Sequence, residues 1–399
     1  MINKTKMNIT VNMEDYGFSG LRKDDGDKLA SLENLSLEER ETLASVGVKF
    51  DKDDKTGGYL LYNKSVFSLL PRIEGLEIMP IAEALEKVPE VREKYYFKLV
   101  GPDMDEYTKA IAESAPRGFF IRVKKGVKIE QPVNAGLFMH KEMSSMSVHN
   151  IVVLEEGAQL HLITGCAAAC TIRKGLHVAM TESYVGKDAK LVSTMVHNWG
   201  PDFIVRPRGG TLVEDNGSYV SNYYSVRPPK HIEMNPYTRL KGANSKAKYM
   251  SALVCLPDTF SEIGGTVLMD GEGSGAELVA RTVNHGGTII QTGLLIGAAK
   301  DVRAHVDCSG LMMGDSGVIE AVPGLRSMHP DARMSHEAAI GKIDMGEVNY
   351  LQSKGLNEMQ AIALIVRGFL DIGVEMEGLA PELEKTIKEI SELSGHGEA

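Results

Sequence analysis

The chain predicts a mainly β protein: a right-handed β-helix, or solenoid, with a mixed N-terminal region and a C-terminal helical region. Three observations carry this. From about Gly118 onward, short β-branched and aliphatic runs alternate with Gly/Asp/Asn/Lys turns. The same turn-then-strand pattern returns at Ala158, Ala189, Ser218, Ala247, Ala276, Val302 and Ala332, which lie 31, 29, 29, 29, 26 and 30 positions apart. A near-constant period in an all-β region marks a solenoid or a propeller, and no recurrent tryptophan–aspartate pair marks a propeller blade. Helical patterns flank the region on both sides, as the two open ends of a solenoid require. Evenly spaced hairpins in a β-sandwich would give the same strand spacing and stand as the alternative.

The regions expected are 1–117 (mixed and helical), 118–343 (β-helix core) and 344–399 (helical). In the first, Ser36-Leu37-Glu38-Glu39 is a capping box that opens a short helix ending near Val46. Residues 51–58 form a charged, glycine-containing turn. Residues 81–88 and 90–99 read as helices punctuated by Pro80, Pro89 and Pro102. In the last region Asn357 to Gln360 is a capping-box variant. Met359, Ile362, Ala363, Val366, Phe369 and Leu370 then share one helical face, Arg367 lies opposite, and Gly373 ends the run. A second helix is expected over 382–393, after Pro381.

Composition narrows the function. The 399 residues are 43% apolar and 25% charged, an ordinary globular balance with room for two or three domains. A net charge of −10 argues against nucleic acid as a partner. The first 20 residues lack the apolar stretch of a secretory signal, and the apolar run at 361–366 stops at Arg367, too short for a bilayer. Four cysteines do not make a disulfide framework, so a cytoplasmic protein with reduced thiols and no membrane attachment is expected. There is no Gly-x4-Gly-Lys-Ser/Thr loop, hence no P-loop ATP site, and no Gly-x-Ser-x-Gly elbow or His-Glu-x-x-His helix.

The chemistry-bearing residues cluster late in the chain. Cys308-Ser-Gly-Leu-Met-Met-Gly314 is followed by Ser335-His336-Glu337-Ala338. A thiol, an imidazole and a carboxylate are metal ligands of mixed softness, and the thiolate leans toward iron–sulfur or zinc. A buried cysteine acting as a small hydrophobe is the competing reading of Cys308. Adjacent strand residues point to opposite faces, so only one of His336 and Glu337 shares the face of Cys308 unless a bulge intervenes or a two-fold partner contributes. Cys166 and Cys170 form a Cys-x3-Cys pair without the paired Cys-x2-Cys units of a structural zinc site. His197-Asn198-Trp199 closes one rung, and Arg206 and Arg208 lie in the next.

Taken in order, several pieces resemble the SufB/SufD family, scaffold subunits of the SUF iron–sulfur cluster assembly system. They are the Glu155-Glu156-Gly157-Ala158 turn with Thr164-Gly165-Cys166, Leu176-His177, Val185-Gly186-Lys187, Asn198-Trp199, the Cys308–Gly314 segment, Ser335 to Ile343, Gln352 to Leu356 and Ala361 to Phe369. The resemblance spans about Gly118 to Phe369. It implies a β-helix between helical parts, a homodimer formed through the β-helix, and a SufC-like ABC-type ATPase docked on the C-terminal helices. It further implies a transiently bound iron–sulfur cluster of the [4Fe–4S] type, a sulfur donor and apo-protein recipients. Cys308, Glu337 and His336 match the cluster site. Cys166 matches a sulfur-accepting cysteine, with His197 and Trp199 on the path from it, and Arg206 and Arg208 available to stabilise anionic sulfur. Met359, Ile362, Val366 and Phe369 match the docking region. Three departures stand out: Ser335 replaces the usual acidic residue, His197 the usual glutamine, and Cys170 is extra. A SufD-like solenoid subunit that carries no cluster is the alternative. A carbohydrate-active β-helix would need clustered carboxylates, and none recur at the rung period.

Overall fold

The computed structural model describes residues 11–16, 32–49, 57–63, 65–69, 73–373 and 388. The chain winds as a β-solenoid of about eight turns. On one side Gln159–Ala168, Lys190–Asn198, Ser218–Arg227, Lys246–Cys255, Gly275–Asn284, Arg303–Met312 and Arg333–Lys342 pair in sequence order. On the other, Ser144–Leu154, Gly175–Val185 and Ile204–Val213 lead to two split rungs, His231–Met234 with Tyr237–Leu240 and Phe260–Ile263 with Thr266–Met269. Thr288–Gly297 and Val318–Ser327 complete that side. Every pairing within these repeats is parallel, which excludes the sandwich of hairpins. Among the described residues the antiparallel pairs are Gly58–Tyr62 with Ser65–Leu69 and Leu76–Pro80 with Phe119–Val123, both at the N-terminal end.

The registers displace successive strands of the first sheet by 31, 28, 28, 29, 28 and 30 residues. The interval of 26 in the sequence reading disappears. Ala276 lies inside its strand, and the true counterpart of Val302 is Ser274, whose carbonyl accepts from Arg303 N at 3.1 Å as that of Val302 accepts from Arg333 N at 2.9 Å. The turn chemistry follows from the backbone. Gly157, Asp188, Asn216, Asn244, Gly273 and Asp301 occupy the same corner with φ of 71°, 56°, 53°, 55°, 68° and 56°. Glycine enters this left-handed region freely, and Asn and Asp tolerate it best among the rest. Their side chains also stack: Asn216 Nδ2 donates to Asp188 Oδ1 at 2.9 Å, and Asn244 Nδ2 to Asn216 Oδ1 at 3.3 Å.

The N-terminal region coats the solenoid. Helix α1 (Leu37–Ser45) carries the expected capping box, Glu39 N donating to Ser36 Oγ and Ser36 N to Glu39 Oε2. Val46 and Val48 then cross the first sheet over Gly165, where an added Cβ would stand 2.5 Å from Val48 Cγ2 and 2.7 Å from the Val46 carbonyl oxygen. Helix α2 (Ile81–Lys87) follows. The helix expected over 90–99 is reduced to one wide turn at Val91–Tyr95. The reason is Glu182, fully buried, whose carboxylate accepts from the backbone N–H groups of Phe97, Lys98, Leu99 and Val100 at 2.5 to 3.1 Å. Those donors are spent on a carboxylate and are not available to a helix. His149 Nε2 meets the same carboxylate at 2.7 Å, and burial depresses the pKa of this imidazole against the pull of Glu182. Helix α3 (Glu106–Glu113), capped by Asp105, had no counterpart in the sequence reading.

At the other end α4 (Met345–Ser353), also not foreseen, is followed by α5 (Glu358–Leu370). The capping pair Asn357 and Gln360 is present, and Gly373 has a φ of 74°. Ala361, Ile362, Val366 and Leu370 are buried, and α5 packs on the strand Gly275–Asn284. Most of the turn at 51–58 and all of the helix expected at 382–393 except Lys388 lie outside the described residues. No helix among the described residues is long and apolar enough to cross a membrane.

The close approach at Gly165 sets a test. Gly165→Val forces Val46 and Val48 off the sheet and should lower stability by roughly 1–3 kcal/mol, as other overpacked cores do. Denaturant titration should show a lower midpoint at unchanged slope. An unchanged midpoint would mean that this segment does not seat there.

Candidate functional site

Among the described residues the lumen holds a concentrated group of cysteine and histidine side chains. Cys166 faces inward from Gln159–Ala168, and His197 sits beside it in register on the next rung. His177 reaches the same point from the opposite sheet, on the strand Gly175–Val185. One ligand atom from each residue lies within 4.8 Å of the other two, and all three residues are buried. Trp199 closes the group: its ring centroid is 4.9 Å from that of His177 and 5.8 Å from that of His197, and it stacks on Phe203 at 5.2 Å. Tyr223 Oη lies 3.2 Å from His197 Nδ1. His177 Nδ1, His197 Nε2 and Trp199 Nε1 are buried without a hydrogen-bond partner.

Burial sets the protonation states. It pushes the Cys166 thiol far above its ordinary range. It lowers His177 to about 3 and takes His197 well below its ordinary value, the neighbouring His177 adding to the effect. At neutral pH the group is a thiol with two neutral imidazoles.

Cys308 looks into the same lumen. In the first sheet one lumen-facing column runs Thr164, Met195, Tyr223, Ser251, Ala280, Cys308, and Cys166 lies two residues along from Thr164 on the same face. Five strand spacings separate the two cysteines, about 24 Å. Between them is a cavity of about 110 Å³, whose lining includes Ala179, Tyr223, Ser251, Ala280, Thr292 and Cys308. Small side chains keep this stretch from filling. Burial, reinforced by Asp307 and opposed by Arg281, raises the Cys308 thiol to about 11. Of the other thiols, buried Cys255 donates to Ser261 Oγ at 3.2 Å, and exposed Cys170 donates to Glu38.

The expected site residues fall into two sets. Cys166, His197 and Trp199 come together. The strand Arg333–Lys342 pairs with no bulge, placing His336 opposite Val306, Glu337 opposite Asp307 and Ala338 opposite Cys308. His336 therefore shares the face of Cys308. Glu337 lies on the outer face, its Oε1 3.7 Å from His305 Nε2. Arg206 and Arg208 also point outward, one residue out of phase with the lumen-facing positions of their strand. Arg208 Nε meets Asp105 Oδ2 at 2.5 Å, Arg206 Nη2 lies 3.7 Å from Glu233 Oε1, and both guanidinium groups stand over the Tyr107 ring at 5.3 and 5.6 Å. They fasten α3 to the solenoid and do not reach the sulfur path expected of them. In α5, Ile362 and Val366 face the solenoid and Phe369 is half-buried, so of the four expected docking residues only Met359 is well exposed, at 47%. The exposed apolar side chains here are instead Met345, Tyr350, Met359 and Leu364.

His177 was missed as a site residue. Its flanks, Leu176 and Val178, are both buried, so the local pattern does not say which face the imidazole takes. Only its pairing across the lumen does.

The fold is a β-solenoid with buried thiols along its interior, and comparison with known proteins gives its family. Residues 137–369 match the family described as SUF system FeS cluster assembly, SufBD core domain. An iron–sulfur cluster assembly SufBD family protein of Archaeoglobus fulgidus is 38% identical over 356 residues, covering 89% of this chain and 95% of its own length. A second, from Methanothermobacter thermautotrophicus, is 37% identical over 376 residues, covering 93% and 91%. A third, from Pyrococcus horikoshii, is 28% identical over 380 residues, covering 93% and 84%. The chain belongs to the SufBD family of iron–sulfur cluster assembly proteins.

Proposed function

We propose that this chain is a scaffold on which iron and sulfide, its substrates, are joined into a cluster that is passed to apo-proteins. The observation that carries the reading is the lumen cavity lying between the Cys166 group and Cys308. Cys166 receives sulfur. Its thiolate attacks the terminal sulfur of a donor persulfide, an S–S bond forms on Cys166, and the donor's S–S bond breaks to release the donor thiol. A buried thiol must first lose its proton, and the departing donor thiolate takes it as the donor thiol is released, since burial leaves the imidazoles of His177 and His197 weak bases. Trp199 and the burial of Cys166 keep water from the persulfide. The small-residue column offers the way to Cys308. Reduction of that sulfur to sulfide takes two electrons, supplied by a reductant outside this chain.

Cluster building is assigned to the solenoid end that carries Cys308 and His336. Glu337, on the opposite face of the last strand, could join only around that strand's edge. The resemblance favours a [4Fe–4S] product. Among the described residues Arg333–Lys342 has no further strand beside it, and Ile340 is 46% exposed there. Such an open edge invites a second copy, and an isologous pair brings two sets of ligands to one place. The ATPase of the reading is a separate ABC-type subunit, docked on the exposed apolar residues of α4 and α5.

Three outcomes test this. Anaerobic reconstitution with iron and free sulfide should give an oxygen-labile brown chromophore in the wild type, lose it in Cys308→Ala, and keep most of it in Cys166→Ala. With a protein persulfide as sulfur source, Cys166→Ala should lose it as well. An undiminished chromophore in Cys308→Ala sinks the cluster site, and a wild type without chromophore favours the cluster-free subunit. Sedimentation should show a dimer that Ile340→Lys dissociates, since a charge at an unpaired edge blocks pairing; a wild-type monomer at micromolar concentration refutes the dimer. Co-purification with the ATPase should fail in Met359→Asp combined with Leu364→Asp while circular dichroism stays unchanged. Retained co-purification would place docking elsewhere.

A further inference from the structure

Polar atoms buried without partners carry an uncompensated desolvation cost, so a group of them calls for a reason. His177 Nδ1 and His197 Nε2 are such atoms, on imidazoles grouped with the Cys166 thiol against Trp199. Apolar residues of similar volume would fill this part of the lumen at less cost. Sulfur transfer to Cys166 leaves the convergence of two weakly basic imidazoles on it unexplained. The three candidate ligand atoms lie within 4.8 Å of one another. Around a tetrahedral ion bound at about 2.0 Å to nitrogen and 2.3 Å to sulfur, the nitrogen and sulfur atoms stand roughly 3.3–3.5 Å apart. Side-chain movement of about 1 Å would convert the group into a coordination shell.

We propose that Cys166, His177 and His197 bind one divalent transition-metal ion of the Fe²⁺, Co²⁺ or Zn²⁺ class inside the solenoid. One thiolate with two imidazoles suits these borderline ions and does not suit Mg²⁺ or Ca²⁺, which take oxygen. Charge balances as follows. The ion displaces one proton, from the Cys166 thiol to solvent, and both imidazoles bind through neutral lone pairs. One positive charge remains on the complex. Three protein ligands leave a fourth position, which a water or a sulfur anion fills. The surroundings fit the role. With His197 Nδ1–H donating to Tyr223 Oη, the lone pair is left on Nε2, the atom without a partner. Trp199 lies against both imidazoles and restricts their rotation. This site is about 24 Å from Cys308 and is separate from the cluster-building end.

The inference stands on side-chain geometry and does not depend on the scaffold reading. The test is Co²⁺ titration of the purified, thiol-reduced, metal-free full chain in a Cys170→Ser, Cys308→Ser background, which leaves Cys166 and the buried Cys255 as its thiols. One equivalent should bind, with the intense visible bands of four-coordinate cobalt and a near-ultraviolet thiolate-to-cobalt charge-transfer band. Adding Cys166→Ser should abolish the charge-transfer band. Adding His197→Gln, close in volume, should keep the band but weaken binding by about 100-fold or more, the upper range seen even for outer-shell changes. If Cys166→Ser does not fold by circular dichroism, His197→Gln decides. No stoichiometric cobalt binding, or an affinity that His197→Gln leaves unchanged, overturns the site. Either result leaves the scaffold reading intact, because that is read from the Cys308-dependent chromophore.

Discussion

Parallel, in-register stacking of one rung on the next governs everything else in this molecule. Each turn returns the chain beside itself after 28 to 31 residues, so equivalent residues form columns with about 4.8 Å between neighbours. A one-residue slip would turn every lumen side chain outward. The left-handed corners at Asp188, Asn216, Asn244 and Asp301 resist such a slip, because only a few residue types accept that conformation and two of the side-chain amides bond to the rung above. Once register is held, columns acquire properties of their own. The Tyr223–Ser251–Ala280–Cys308 column is mostly small and leaves space. The Cys166–His197 pair exists because the two positions are rung neighbours, although 31 residues separate them in the chain.

Strand alternation then sorts the chemistry into two compartments. Cys166, His177, His197, Cys308 and His336 face inward, and burial keeps the Cys166 and Cys308 thiols protonated and the His177 and His197 imidazoles neutral. Arg206, Arg208, Glu182 and Glu337 face outward. Three of these outward groups serve the coat. Glu182 organises four backbone N–H groups of the 97–100 segment, and Arg208 holds Asp105, the cap of α3. Charge-assisted bonds of this kind are stronger than neutral ones, and here they substitute for regular secondary structure. Attachment of the N-terminal region is thus written into the outer faces of Gly175–Val185 and Ile204–Val213, the first of which carries His177 on its inner face.

Much of the fold was legible because it depends on local rules. Turn residues repeat where the backbone needs a left-handed conformation, and Ser36 and Asn357 announce helices through side chains that reach only three residues. The limit of two adjacent residues on opposite faces also held, with His336 rather than Glu337 on the side of Cys308. Phase was harder. Strands buried on both faces read as continuous apolar runs, so Ile204 and Val205 are both buried and nothing nearby told that Arg206 turns outward. The periodicity of α5 named its apolar face but not what would cover it; the strand Gly275–Asn284 does. Residues 90–99 have helical propensity, and a carboxylate more than 80 residues away overrides it.

By itself, then, the amino-acid sequence determined the repeat, the capped helices and the family resemblance, because turn conformation, capping and spacing act over a few residues. Tertiary structure alone decided which thiols share a lumen, that His177 joins Cys166 and His197, and that Arg206, Arg208 and Glu337 stand outside it. Those facts depend on which way a strand covered on both faces is turned and on which residues meet across the two sheets, and neither has a local signal in the chain.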